Sequence, residues 1–90
     1  MSEPYWVYLL RCSDGSLYTG ITNNLKRRVA AHKGGRGAKY TRSRLPVTLV
    51  YFERRADKSD ALKREWAMKR LPHKTKEQLI ASHQSEEVKD

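Results

Sequence analysis

Carboxylates are nearly missing from the first half of this chain. Of 10 Asp and Glu residues in 90, only Glu3 and Asp14 precede Glu53, whereas the stretch from Lys26 to Arg44 carries Lys26, Arg27, Arg28, Lys33, Arg36, Lys39, Arg42 and Arg44 with no acid among them. The net charge of +9 is therefore concentrated, and a one-signed stretch of that kind favours a polyanionic partner. Cys12 is the single cysteine, which excludes an intramolecular disulfide and suits a reducing, cytoplasmic setting. Long apolar runs are absent too. Nothing approaches the roughly 18 residues of a membrane span, and the start of the chain lacks the pattern of a secretory leader. The basic stretch has no apolar stripe for interfacial insertion, so a membrane is not an expected partner. His32, His73 and His83 are too scattered for a zinc site, and Gly34-Gly35-Arg36-Gly37 follows a helix and lacks the ending of a phosphate-binding loop.

What is present is enough for one small domain. Mean hydropathy is low at -0.86, yet the dense apolar clusters Tyr5 to Leu10 and Val47 to Phe52 argue for a folded core. Residues 5–11 read as a strand buried on both faces and central in its sheet. Asp14-Gly15 marks a hairpin, so Leu17 to Ile21 returns antiparallel to it. Thr22-Asn23-Asn24 offers caps for a helix from Leu25 to about Lys33, closed by the glycines that follow. A basic loop leads to Pro46, and Val47 to Phe52 forms a third strand. Asp57 or Ser59 can cap a helix over about 58–71, stopped by Pro72. Thr75-x-x-Gln78 resembles a capping box for a short last helix to about Ile80. The order β-β-α-β-α-α predicts an α+β domain over residues 1–82, with 83–90 a frayed polar tail.

Four features carry chemical interest. On the helix over 58–71, Leu62 and Trp66 set the expected apolar face, with Ala61 and Met68 at its other edge. Glu65 falls between them, in the sector that should be buried. A carboxylate there needs a cation, either a metal or an i,i+4 partner such as Lys69. Tyr8 and Tyr18 flank the hairpin turn and can approach one another across the strands, as site residues or as plain packing. Gly20 lies on the same face as Tyr18 and leaves room for a ligand. Arg28 and His32 are one helical turn apart; Arg suits phosphate oxygens, and His either donates to a phosphate or moves a proton. The alternatives are a surface charge and a satisfied core-edge histidine.

These residues together resemble a known family. Trp6-Val7-Tyr8-Leu9-Leu10, then Tyr18-Thr19-Gly20-Ile21-Thr22, is similar to the paired motif of the GIY-YIG nuclease superfamily. Asn24-Leu25-x-x-Arg28-x-x-x-His32 resembles the stretch after it, and Ala61-Leu62-x-x-Glu65 its metal-ligand helix. Gly37-Ala38-Lys39-Tyr40-Thr41-Arg42 is similar to the short stand-alone bacterial members of the YhbQ/YazA type. The likeness covers roughly residues 5–80. It implies a three-stranded antiparallel sheet flanked by helices and a Mg2+ (or Mn2+) ion held by Glu65. Tyr8 and Tyr18 would line the site, with Tyr8 favoured as proton acceptor and nearby cations (Arg28, Lys39 and the ion) favouring its phenolate. Arg28 would stabilise phosphoryl charge, assisted by His32. The expected activity is hydrolysis of nucleic-acid phosphodiester bonds, DNA favoured. Candidate nucleic-acid contacts are Arg27, Lys33, Arg36, Lys39, Arg42 and Arg44, with Tyr40 or Trp6 stacking on bases. The first motif carries Trp6 where the family has glycine, and the chain has no attached targeting domain, so a protein partner could supply specificity. The alternative is a basic nucleic-acid-binding module of the same fold that cleaves weakly or not at all.

Overall fold

The computed structural model describes residues 3–88. Its elements are β1 (Tyr5–Arg11), β2 (Leu17–Thr22), α1 (Leu25–Lys33), α2 (Lys39–Arg42), β3 (Thr48–Arg55), α3 (Lys58–Lys69) and α4 (His73–Val88). The three strands form one antiparallel sheet in the order β2-β1-β3, so β1 is central as its unbroken apolar run predicts. This is the expected α+β architecture.

The first turn shows how local chemistry sets the register. Gly15 adopts φ 84, a left-handed conformation that suits glycine, and Asp14 Oδ1 accepts hydrogen bonds from the Ser16 amide and hydroxyl. Pairing then runs Leu10 with Tyr18, Tyr8 with Gly20 and Trp6 with Thr22. Trp6 continues that ladder without distorting it and packs edge-on against Phe52 at 6.1 Å.

Alternation along β1 divides the core between the two faces of the sheet. Val7 and Leu9 pack with Ala61, Met68 and Ile80 of α3 and α4. Tyr8 and Leu10 pack with Cys12, Val29 and Val47 on the α1 face. Fully buried side chains such as Leu9 and Met68 each contribute about 1.5–3 kcal/mol by leaving water. On α1 the expected face is the observed one: Val29 and His32 are buried, and the Asn24 side chain accepts from the Arg27 amide at 3.1 Å.

Several elements differ from the sequence expectation. β3 runs past Phe52 to Arg55, because its charged end is neutralised from α3: Arg64 donates to Glu53 at 2.6 Å and Arg55 to Asp60 at 3.0 Å. The basic loop contains the short helix α2. α3 ends at Lys69, and its buried side is Ala61 and Met68, while Leu62 and Trp66 are 46% and 64% exposed. The expected apolar face therefore points to water, and Glu65 sits at its border with the packed side. α4 begins at His73, directly after Pro72, and continues to Val88 instead of stopping near Ile80. No Gly or Pro follows Pro72 to interrupt it. Arg11 anchors α4 to β1 through Glu77 at 2.6 and 2.7 Å. Among the described residues no helix is long and apolar enough to cross a membrane.

Candidate active site

Tyr8 on β1, Gly20 on β2 and His32 on α1 meet on one face of the sheet. Gly20 is the register partner of Tyr8, and a Cβ built on it would lie 2.5 Å from the Tyr8 hydroxyl. The missing side chain thus makes room for the phenol itself and not, as expected, for a ligand. The Tyr8 ring crosses β2 there, with Tyr18 beside it at 6.4 Å between centroids.

The hydrogen bonds assign the protons. Thr41 Oγ1 donates its one proton to the Ala38 carbonyl at 2.9 Å, so it accepts from His32 Nδ1 at 2.8 Å. With the ring proton on Nδ1, His32 Nε2 is the acceptor for the Tyr8 hydroxyl at 2.8 Å. Both ring nitrogens are engaged and the residue is 0% exposed, which takes His32 out of reach of a phosphate and leaves two of its readings, a satisfied core histidine and a proton carrier. Burial, followed by the charge of Arg28, holds the His32 pKa below the ordinary histidine value. The imidazole is neutral at pH 7.

Tyr8 is 1% exposed, and burial pushes its hydroxyl up to about 12. The Arg28 guanidinium beside it pulls the other way, while Tyr18 and Glu65 add to the rise. Cations do not produce a resting phenolate here; desolvation outweighs them. Tyr8 can act on a proton only by surrendering its own, and His32 Nε2 is placed to take it.

Glu65 arrives from the opposite layer. α3 packs against β1 and β2, bringing the carboxylate close enough to act on the Tyr8 hydroxyl. Its side chain is 19% exposed and pairs with Lys69 Nζ at 3.6 Å, the i,i+4 partner that the spacing offers. That contact is long and its lysine exposed. A Mg2+ ion needs one or two carboxylates and completes its octahedron with water and phosphate oxygens, so the single, part-exposed Glu65 carboxylate fits an ion recruited with substrate. A cage of three or more His, Cys, Asp or Glu does not occur among the described residues.

Two clefts flank this centre. One, of about 240 Å3, is lined by Tyr18, Tyr40, Lys69 and Lys76 among others; the second, of about 200 Å3, by Asn23, Asn24, Arg27 and Arg28 among others. Tyr40 stacks on Tyr18 at 6.1 Å and is covered by the Arg44 guanidinium at 3.8 Å. Arg44 also pairs with Asp14 at 3.1 Å and donates to the Tyr40 carbonyl, so its head group is already engaged within the protein. Arg36, Lys39 and Arg42 are exposed. Lys33 is not brought to the centre; it lines a separate cleft with Leu25, Val29 and Leu49.

Sequence reasoning missed Thr41 and Gly37. Thr41 is fully buried and fixes the His32 tautomer; a Cβ on Gly37 would lie 2.1 Å from His32 Nδ1. Both belong to the Gly37-Ala38-Lys39-Tyr40-Thr41-Arg42 run, where a small hydroxyl residue amid basic side chains was the available signal.

Comparison with known proteins adds family context. Residues 4–78 match the family described as GIY-YIG catalytic domain. The chain is 48% identical over 85 residues to a UPF0213 protein of Lacticaseibacillus paracasei, covering 94% of this chain and 96% of that one. It is 56% identical over 77 residues to a UPF0213 protein of Clostridium perfringens, covering 86% and 83%. Among solved structures it resembles the solution NMR structure of the UPF0213 protein BH0048 from Bacillus halodurans, with 44% identity, TM-score 0.56, and coverage of 87% of this chain and 83% of that chain. The solution NMR structure of EF2693 from E. faecalis gives 40% identity and TM-score 0.59, covering 90% and 86%.

Proposed function

The chain belongs to the GIY-YIG catalytic domain family, and from that premise and the geometry of its site we propose that it is a metal-dependent endonuclease hydrolysing phosphodiester bonds of nucleic acid, DNA favoured. The observation that carries this reading is the Tyr8 hydroxyl at 2.8 Å from His32 Nε2, with the other ring nitrogen fixed by Thr41. A buried tyrosine hydrogen-bonded to a neutral histidine supports a proton relay, since Tyr8 can pass its own proton to His32 Nε2 as it takes one up.

Glu65 would hold the divalent ion, Mg2+ or Mn2+, whose chemistry is to neutralise phosphate charge and acidify the attacking water. The remaining steps fall to the protein. The water gives its proton to the Tyr8 oxygen as the Tyr8 proton passes to His32 Nε2. Thr41 keeps the imidazole oriented throughout, and the resulting imidazolium is close to the charge that it offsets. Arg28 faces the phosphoryl oxygens, where negative charge grows as the leaving oxygen departs. Tyr18 walls the site against His32 at 5.2 Å. Arg27, Arg36, Lys39 and Arg42 supply phosphate contacts on the approach, and Tyr40 a surface for bases. Target choice beyond these contacts would come from a protein partner. The buried, free Cys12 suits a reducing cytoplasm.

The test is cleavage of labelled single-stranded, duplex and branched DNA with Mg2+ or Mn2+, comparing wild type with Glu65→Ala and checking both folds by circular dichroism. Metal-dependent cutting that disappears in the variant is the expected result. Salt-sensitive binding by both proteins with no cutting by either would replace the enzyme with a binding module.

A further inference from the structure

The outer face of α3 is not built like an ordinary solvated helix surface. Residues advance about 100° per step round the axis, which gathers Lys58, Leu62, Lys63, Trp66, Lys69 and Arg70 into one sector, all of them exposed. Four are cations. Asp60 lies on the far side of the helix, paired with Arg55, and Glu65 marks the border of the sector on its Lys69 edge. An indole left 64% exposed keeps a large apolar surface in water, and the Arg70 guanidinium lies over its ring at 4.6 Å. Lys69 belongs both to this face and to the cleft lined by Tyr18, Tyr40 and Lys76. The surface is therefore continuous from the cleft, past Glu65, to Trp66.

We propose that Trp66 is a stacking platform for a nucleobase of the substrate, on the strand whose phosphate meets Glu65, with Lys63, Lys69 and Arg70 against the flanking phosphates. The proposal deepens the nuclease reading and rests on it. A protein partner is the weaker match. Stable protein interfaces need a broad apolar centre depleted of charge, whereas Leu62 and Trp66 are two apolar groups ringed by cations. A nucleotide answers both features at once, offering a π face to the indole and a phosphate to each cation. Lys69 lies one turn on from both residues and pairs with Glu65, so it joins the indole to the carboxylate, and a base stacked on Trp66 restricts which phosphate reaches Glu65.

The experiment uses Trp6→Phe protein, in which Trp66 is the sole indole, titrated in EDTA with a short DNA oligonucleotide and with an all-abasic strand of equal length. The oligonucleotide should quench Trp66 fluorescence and the abasic strand should not. Trp66→Ala should weaken oligonucleotide binding about 10-fold, the order of one stacked base, and Trp66→Phe should restore most of it. Unquenched binding that Trp66→Ala leaves unchanged would overturn the proposal, and metal-dependent cleavage by the same protein would then leave the nuclease reading standing. If the protein neither binds nor cleaves, both fall. A Trp66-dependent dimer in sedimentation without DNA would make this a self-association face and also overturn the proposal.

Discussion

The two halves of the site are built on opposite rules. The Tyr8–His32–Thr41 half is buried, and each of its polar side-chain atoms has a partner within 2.9 Å. The Glu65 half lies at the protein surface, held by one lysine at 3.6 Å on a helix whose outer face is basic and open. Proton transfer demands fixed donors and acceptors, and enclosure supplies them. Phosphate and metal must enter and leave, so their half is left loosely paired. Gly20 serves both, because only without a side chain there can the Tyr8 phenol lie over β2, where the Glu65 charge acts on it.

If that contrast is right, substitutions in the two halves should fail differently. Glu65→Ala is expected to abolish cleavage by at least about 100-fold, the scale of losing a main electrostatic contributor, with a melting temperature close to wild type. Single-turnover assays beside thermal melts check both parts. A large drop in melting temperature would make Glu65 part of the packed half and erase the distinction.

Gly37→Ala should do the reverse. The added methyl would stand 2.1 Å from His32 Nδ1, so the ring or the loop must move, at a cost of about 1–3 kcal/mol by overpacking. Denaturant unfolding should register it, and cleavage should fall with it even though Gly37 touches no substrate.

Acid sharpens the comparison further. His32 has a depressed pKa in the fold, so in acid the unfolded chain takes up its proton first. The stability that His32 contributes is intact above about pH 6.5, the unfolded value, and is lost as pH falls toward its lower folded value, with a slope of at most about 1.4 kcal/mol per pH unit. Unfolding curves of wild type and His32→Gln between pH 7 and 5 should converge as pH falls. At the other extreme, Tyr8 is protonated in the fold up to about 12, so its contribution is lost above the unfolded value of about 10.

Lys69→Ala should matter least to folding. The lysine end of this i,i+4 pair is exposed and the contact long, so it contributes about 0.3–0.5 kcal/mol and its loss should be barely visible in a melt. An effect several times larger would show that Glu65 is buried more deeply than the fold indicates.

Local signals made much of this legible from the chain alone. Asp14-Gly15, the unbroken apolar run of β1 and the Asn24 cap dictate the hairpin and α1, and with them the approach of Tyr8, Tyr18 and His32. α3 was harder. It carries apolar residues on both sides, and small Ala61 and flexible Met68 pack beneath the sheet while bulkier Leu62 and Trp66 stay in water. Hydrophobicity alone ranks them the other way. α2 is a four-residue helix, too short for any periodicity, so the tie from Thr41 to His32 had only the composition of its run to announce it. The proton on Nδ1 depends on that tie, and so does the burial that removes phosphate contact from the roles the sequence left to His32.

The most direct test of the account is the single-turnover cleavage rate of Tyr8→Phe against wild type at saturating Mg2+, with oligonucleotide binding measured in parallel. Removing one hydroxyl from the buried relay should slow cleavage by about 100-fold or more, the usual scale of general acid–base catalysis, while binding stays unchanged. A rate within a few-fold of wild type would contradict it, and would mean that the Tyr8–His32 hydrogen bond holds the core together without carrying the proton.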